Sequence, residues 1–237
     1  MSEVAVVPDV ARAAAELFVE ATAGAVAARG KAAAALTGGS TAAPLYAELR
    51  RWQKIPWRDL HLFFSDERAV PPDHELSNFR VAQEELLAHV QVAGVHRLRG
   101  EAKDLDAEAA RAARDLRETL GTPPRLDLML LGLGPDGHIL SLFAGVPQSA
   151  ERGDEELVRH VAAPTQVEPK VARLTLTPFL LVTARTVVLQ VSGAKKAAVL
   201  ARALEGREDL VACPAQWLRK AAGRAVVVCD ADAASAL

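Results

Sequence analysis

Short apolar runs alternate with longer segments of helical period along the whole 237-residue chain, and this alternation limits the possible folds most severely. The runs at residues 4–7, 32–36, 60–64, 126–131, 159–162, 173–176, 187–191 and 225–229 predict strands. The segments at 9–28, 41–51, 78–89, 107–120 and 194–204 predict helices, the fourth capped by Asp106 and ended by Gly121 ahead of Pro123 and Pro124. Strands that are apolar almost throughout are covered on both faces, and strands separated by helices pair in parallel. An α/β fold follows, with a mainly parallel sheet between helical layers. No repeat or low-complexity linker divides the chain, so residues 1–237 are expected to form one domain. The stretch "GEAKDLDAEAARAARDLRETLG" reads as a solvated surface helix.

The formal net charge of −2 excludes bulk attraction to nucleic acid or to an anionic membrane, so any anion site must be local. Cys213 and Cys229 are too few for a disulfide framework or a metal cluster. The opening "MSEVAVVPDVARAAAELFVE" has no basic leader region, and a charge interrupts every short apolar stretch, so no signal peptide is expected. No uncharged apolar run approaches the roughly 18–20 residues of a membrane span. A cytoplasmic protein with reduced thiols is the expectation.

In open parallel sheets, ligands bind beyond the carboxyl ends of the strands. Those ends lead into "TGGST", "SDERAVP", "GLGPDGH" and "SGAKK", where the unusual polar chemistry of the chain collects. Gly132, Gly134 and Gly137 have the G-x-G-x-x-G spacing of a dinucleotide turn. That reading fails on two counts. Asp136 would repel a pyrophosphate, and the next segment soon breaks at "AGVP" instead of continuing as a long helix. What remains is His138 on a glycine-flanked turn, two residues after a carboxylate. An imidazole suits proton transfer near neutrality, and the carboxylate fixes its tautomer.

Gly38, Gly39, Ser40 and Thr41 join a strand to a helix start, where unpaired N–H groups and the helix dipole attract an anion. A tight turn with a serine cap is the plainer alternative, and the missing Walker lysine argues against a nucleoside triphosphate. Asp66, Glu67 and Arg68 follow another apolar strand, where a solvated loop is the plainer reading. Asp73, His74 and Glu75 lack metal-ligand spacing. Arg173 and the pair Lys195 and Lys196 bring cations near strands. A lysine at a helix start opposes the dipole unless it engages an anion.

Taken in order, "LTGGSTAAPLY", "FFSDERAVPPDHELSNFR", "LGLGPDGHILSLF", "RLTLT" and "VSGAKKAAVL" resemble the 6-phosphogluconolactonase family, within the group that includes glucosamine-6-phosphate deaminases. The likeness runs from about residue 30 to residue 205. It implies a Rossmann-like three-layer α/β/α sandwich and hydrolysis of 6-phospho-D-glucono-1,5-lactone to 6-phosphogluconate, the second step of the oxidative pentose phosphate pathway. Deaminases of the group typically have Tyr after the Asp-Glu pair and Asn-Glu-Pro-Gly after the Gly-His turn. Here Arg68 and "SLFAG" stand in those places, and both favour the lactonase branch.

On this resemblance the substrate phosphate sits on Gly38, Gly39, Ser40 and Thr41, with Arg173 and Lys196 as cationic partners. His138 takes a proton from the attacking water and returns it to the departing ring oxygen, while Asp136 orients the imidazole. Arg68 serves either the oxyanion or the phosphate, and Asp66 and Glu67 are further site candidates. No metal or organic cofactor is required, because a δ-lactone is already a reactive ester. The expected partner is a small phosphosugar lactone, with no nucleic acid, membrane or obligate protein partner. The rival readings are a deaminase-like sugar-phosphate isomerase and a noncatalytic sugar-phosphate sensor. The sensor would need a DNA-binding module, for which there is neither spare length nor a basic helix.

Overall fold

The computed structural model describes residues 2–237 and turns the sequence alternation into ten strands and six α-helices. In chain order the strands are β1 (Glu3–Val6), β2 (Ala32–Leu36), β3 (Leu60–Phe64), β4 (Asp66–Arg68), β5 (Gly94–His96), β6 (Leu128–Gly132), β7 (Val158–Val161), β8 (Arg173–Leu176), β9 (Thr186–Val191) and β10 (Arg224–Cys229). The helices are α1 (Val10–Arg29), α2 (Ala42–Leu49), α3 (Asn78–Ala82), α4 (Leu105–Leu120), α5 (Pro178–Thr183) and α6 (Ala197–Glu205).

Seven strands form one sheet in the order β1-β10-β9-β6-β2-β3-β5, and every neighbouring pair is parallel. The other three, β4-β8-β7, form a separate antiparallel sheet. Helix α2 packs against both α1 and α3. The right-handed rule for parallel crossovers, applied to this strand order, puts these three on one face of the main sheet and α4, α5 and α6 on the other. Among the described residues no helix is long and apolar enough to cross a membrane.

Local chemistry accounts for the element ends. The Asp9 carboxylate accepts the Arg12 N–H at 3.0 Å to start α1, and Gly30, at φ 74°, ends it. Helix α4 ends at Gly121, but its cap is Asp104, which accepts from the Asp106 and Ala107 N–H groups; Asp106 lies inside the helix. A carboxylate two residues earlier already holds the first-turn donors. The predicted helix at 78–89 begins at Asn78 but changes after Ala82 to a wider π turn over Gln83–Leu87. Strand β2 reads AAAAL and is buried at every position. Alanine is a strong helix former, yet helices covering both faces of the central strand favour small side chains, and burial overrides propensity.

Strands β2 and β6 lie side by side at the centre. From β2 the chain proceeds to β3 and β5 on one side, whereas from β6 it proceeds to β9 and β10 on the other. The loops leaving these two strands therefore diverge and open a crevice at the carboxyl edge of the sheet. The fully buried Tyr46 on α2 holds one wall in place by donating its hydroxyl to Thr37 O. Burial pushes the phenol well above its ordinary pKa, so it remains a donor.

Candidate active site

The crevice is a cleft of about 230 Å³, walled by the turns that follow β2, β6 and β9 and by β4. The turn after β6 is the most constrained of these. The Gly134 N–H donates to His138 O at 2.8 Å, and Gly134 O accepts from Gly137 N at 3.2 Å. A Cβ on Gly134 would collide with the His138 ring, and Gly137 sits at φ 99°. These glycines of the G-x-G-x-x-G pattern thus serve the seating of an imidazole. Past His138 the chain forms an isolated bridge between Ile139 and Leu142 instead of a long helix, with Leu140 at φ 57°.

His138 Nδ1 lies 2.6 Å from Asp136 Oδ1, which also accepts the His138 backbone N–H at 3.2 Å. Burial alone would raise the Asp136 carboxyl, but its hydrogen bonds from His138 and the imidazole charge outweigh that and hold it at about 2. An ionised carboxylate can only accept, so Nδ1 is the donor, and in the neutral ring Nε2 carries the lone pair. The ring is half-buried and packs at 5.2 Å against Phe143. Beside it, Lys196 Nζ donates to Leu133 O at 2.7 Å. Burial pushes the Lys196 ammonium down from its usual range, opposed by the charge of Asp136. Lys196 lines the cleft, whereas Lys195 is exposed.

Across the cleft stand Gly38, Gly39, Ser40 and Thr41. A Cβ on Gly38 would overlap the Asn78 carboxamide, and Gly39 adopts φ 78°. Thr41, the residue before α2, makes no side-chain cap bond. The serine-cap alternative therefore does not describe this turn, and its hydroxyls remain available to a ligand.

On β4 the three charged neighbours part ways. Glu67 is buried and accepts from Arg68 N, Asn78 N, Phe79 N and Ser77 Oγ, which fixes the start of α3. Burial pushes its carboxyl up while the three backbone donors pull it down. Asp66 lines the cleft and is held by Ser141 Oγ at 2.7 Å and Asn78 Nδ2 at 3.1 Å. Arg68 also lines the cleft; its Nη1 donates to Leu76 O at 2.7 Å, and its Nε is buried without a partner.

Arg173 pairs with Arg68 across the β4–β8 ladder but is only 3% exposed and lies outside the cleft wall. Its Nη2 donates to Pro169 O, and its guanidinium is 6.0 Å from the Phe143 ring. Burial, then the charge of Arg68, push it down to about 10, so it stays charged at neutral pH. Among the wall residues that sequence reasoning does not single out are Asn78 and Gln190. Asn78 looked like an ordinary helix start. Gln190 did leave a signal, since it is the one polar residue within the run "VVLQV".

Residues 7–227 match the family described as glucosamine-6-phosphate isomerases/6-phosphogluconolactonase. The chain is 37% identical to a 6-phosphogluconolactonase of Mycobacterium tuberculosis, with 100% of this chain and 98% of the relative covered. It is 36% identical to one from Synechocystis, covering 82% and 80%. Among solved structures it resembles the 6-phosphogluconolactonase of Trypanosoma brucei, with a TM-score of 0.86, 28% identity and coverage of 100% and 99%. A monomeric glucosamine-6-phosphate deaminase shares the fold at a TM-score of 0.82 and 21% identity, with full coverage of both chains.

Proposed function

The chain belongs to the family of glucosamine-6-phosphate isomerases and 6-phosphogluconolactonases, and on that premise we propose that it hydrolyses 6-phospho-D-glucono-1,5-lactone to 6-phosphogluconate with His138 as general base. The observation that carries the assignment to His138 is its pairing with an ionised Asp136, which directs the proton of the neutral ring to Nδ1, in a cleft that Gly38, Gly39, Ser40 and Thr41 also wall.

The substrate phosphate rests on Gly38, Gly39, Ser40 and Thr41 with Lys196 as its cation, and this remote anchorage orients the lactone carbonyl. His138 Nε2 accepts a proton from water as the water oxygen attacks the carbonyl carbon. The tetrahedral oxyanion then collapses, the bond from that carbon to the ring oxygen breaks, and the imidazolium returns its proton to the departing oxygen. Asp136 holds the reactive tautomer and the charge of the imidazolium. Arg68 offers its outer N–H groups to an anion in the cleft, the oxyanion or the phosphate. Arg173 adds its charge from beside Arg68 on the β4–β8 ladder, and Asp66 fixes the wall through Ser141 and Asn78. The reaction takes place in the cytoplasm, a reading supported by two buried cysteines that are both free.

The test follows two products. Lactone generated in situ should disappear, and 6-phosphogluconate appear, faster with the protein than spontaneously. Glucosamine 6-phosphate should release no ammonia. Ammonia without lactone acceleration would move the chain to the deaminase branch. Phosphosugar binding with neither activity would make it a sensor.

A further inference from the structure

Gln190 is 1% exposed, it lines the cleft, and neither its Oε1 nor its Nε2 has a hydrogen-bond partner. A buried carboxamide with both ends unmet costs folding stability, and an apolar side chain of similar size would remove that cost. Its cross-strand neighbours cannot relieve it. The register places Gln190 between Gly132 on β6 and Val228 on β10, and neither offers a polar side chain. Partners in a parallel ladder project to the same face, so the Gln190 side chain leaves the sheet on the face where Gly132 has none. The space over Gly132 is open. A Cβ there would meet only Thr41 Oγ1, at 3.5 Å. The carboxamide thus borders a vacancy in the cleft floor that also reaches the uncommitted hydroxyl of Thr41.

The chemistry of the unmet atoms selects the ligand group. A phosphate or a carbonyl oxygen would satisfy Nε2 but leave Oε1 without a donor. A cation would satisfy Oε1 alone. A hydroxyl-bearing carbon chain satisfies both, because each hydroxyl donates and accepts. We propose that Gln190 is a specificity-determining residue that reads a hydroxyl of the sugar chain, between the phosphate on residues 38–41 and the carbonyl beside His138. The proposal rests on the phosphosugar-lactone reading of the cleft. It explains why a polar residue interrupts an otherwise apolar strand: its unmet hydrogen bonds are completed by substrate. A ligand lacking that hydroxyl leaves the carboxamide unpaired and is rejected.

The test uses Gln190→Met, which keeps length and removes the polar atoms, with Gln190→Leu as a second variant should the first fail to fold. Three measurements are made on parent and variant: melting temperature, kcat/KM on 6-phosphogluconolactone and on its 2-, 3- and 4-deoxy analogues, and calorimetric binding of 6-phosphogluconate and of inorganic phosphate. The variant should melt higher than the parent, lose about 10–100-fold in kcat/KM on the full lactone, and match the parent on one deoxy analogue. It should bind 6-phosphogluconate more weakly and inorganic phosphate as well as the parent does. A uniform loss on every lactone with a lower melting temperature would make Gln190 a packing residue and overturn the proposal. Unchanged kinetics and binding would overturn it too. A parent that fails to accelerate lactone hydrolysis but binds 6-phosphogluconate in a Gln190-dependent way would remove the enzymatic reading and leave hydroxyl recognition standing. A parent that binds no 6-phosphogluconate would overturn both.

Discussion

Of the three imidazole–carboxylate pairs among the described residues, the two less exposed ones are alike on one side of the ring and different on the other. His138 Nδ1 meets Asp136 at 2.6 Å, and His96 Nδ1 meets Asp115 at 2.9 Å. Each depends on a glycine. A Cβ on Gly134 would strike the His138 ring, and a Cβ on Gly94 would lie 2.8 Å from His61 and 2.9 Å from His96. The contrast is on the second nitrogen. His96 Nε2 is taken up by His61 Nδ1 at 3.0 Å, and its ring is stacked on Phe63. His138 Nε2 has no such partner, and its ring lines the cleft that Gly38, Gly39, Ser40 and Thr41 also wall. A carboxylate behind an imidazole sets the tautomer in both places. Only an uncommitted nitrogen, beside somewhere for a substrate to sit, turns that arrangement into chemistry. Topology decides which pair has it: His138 follows β6 at the switch point, whereas His61 and His96 pair β3 with β5 at the sheet edge.

The comparison breaks most visibly under substitution of the two imidazoles. His138→Ala should lose about 10²–10⁴ in turnover, the range of general acid–base catalysis, while retaining a cooperative melt. His96→Gln should keep parental turnover and melt at a lower temperature, because it disrupts a hydrogen-bonded chain and not a reacting group. Steady-state kinetics and thermal melts on both variants decide the matter. Equal kinetic losses would mean that the β3–β5 histidines are coupled to the cleft.

A smaller effect sharpens the same contrast on the cationic side. Lys196→Ala should weaken the phosphorylated lactone by about 10–100-fold in kcat/KM, the scale of a charge-assisted hydrogen bond, and change the unphosphorylated lactone much less. Lys195→Ala should leave both nearly unchanged, since that side chain is exposed. Arg173→Ala should fall between them, with its charge lying outside the cleft wall. Equal penalties on both lactones would detach Lys196 from the phosphate.

What the sequence disclosed and what it withheld divide along the range of the interactions. Strand β2 could be read from four alanines because glycines on either side leave room only for a short buried element. The His138 turn could be read because its chemistry is packed into five residues, Gly134 to His138. Strands β4 and β5 have three residues each, too few for any period to show. That β7 and β8 leave the main sheet to pair with β4 depends on partners far along the chain. Arg173 is legible from its charge, whereas its burial depends on its pairing beside Arg68 in the β4–β8 ladder. Asp104 and Asp106 compete for one helix cap, and residue type alone does not choose between them.

The smallest effect separates the two regions by pH. In the β3–β5 pair, burial pushes His61 below its usual range; the charges of His96 and Lys31 add to this and that of Asp115 opposes it. The unfolded chain therefore protonates first as pH falls. The His61 contribution to stability is complete above about pH 6.5 and is lost as the pH falls through the lower folded value. Asp136 shows the same sign in a different window. Its carboxyl is held at about 2 in the folded protein, so its contribution is complete above the ordinary carboxylate value of about 3.9 and is lost as the pH falls through about 2. Melting temperature measured against pH should thus fall in two separate steps. His61→Gln should flatten the upper step and leave lactone hydrolysis at neutral pH unchanged. Asp136→Asn should flatten the lower step and impair hydrolysis. An upper step that persists in His61→Gln, or one that disappears in Asp136→Asn, would show that the two imidazole systems do not titrate independently, and the division of the molecule into a structural pair and a chemical pair would fail.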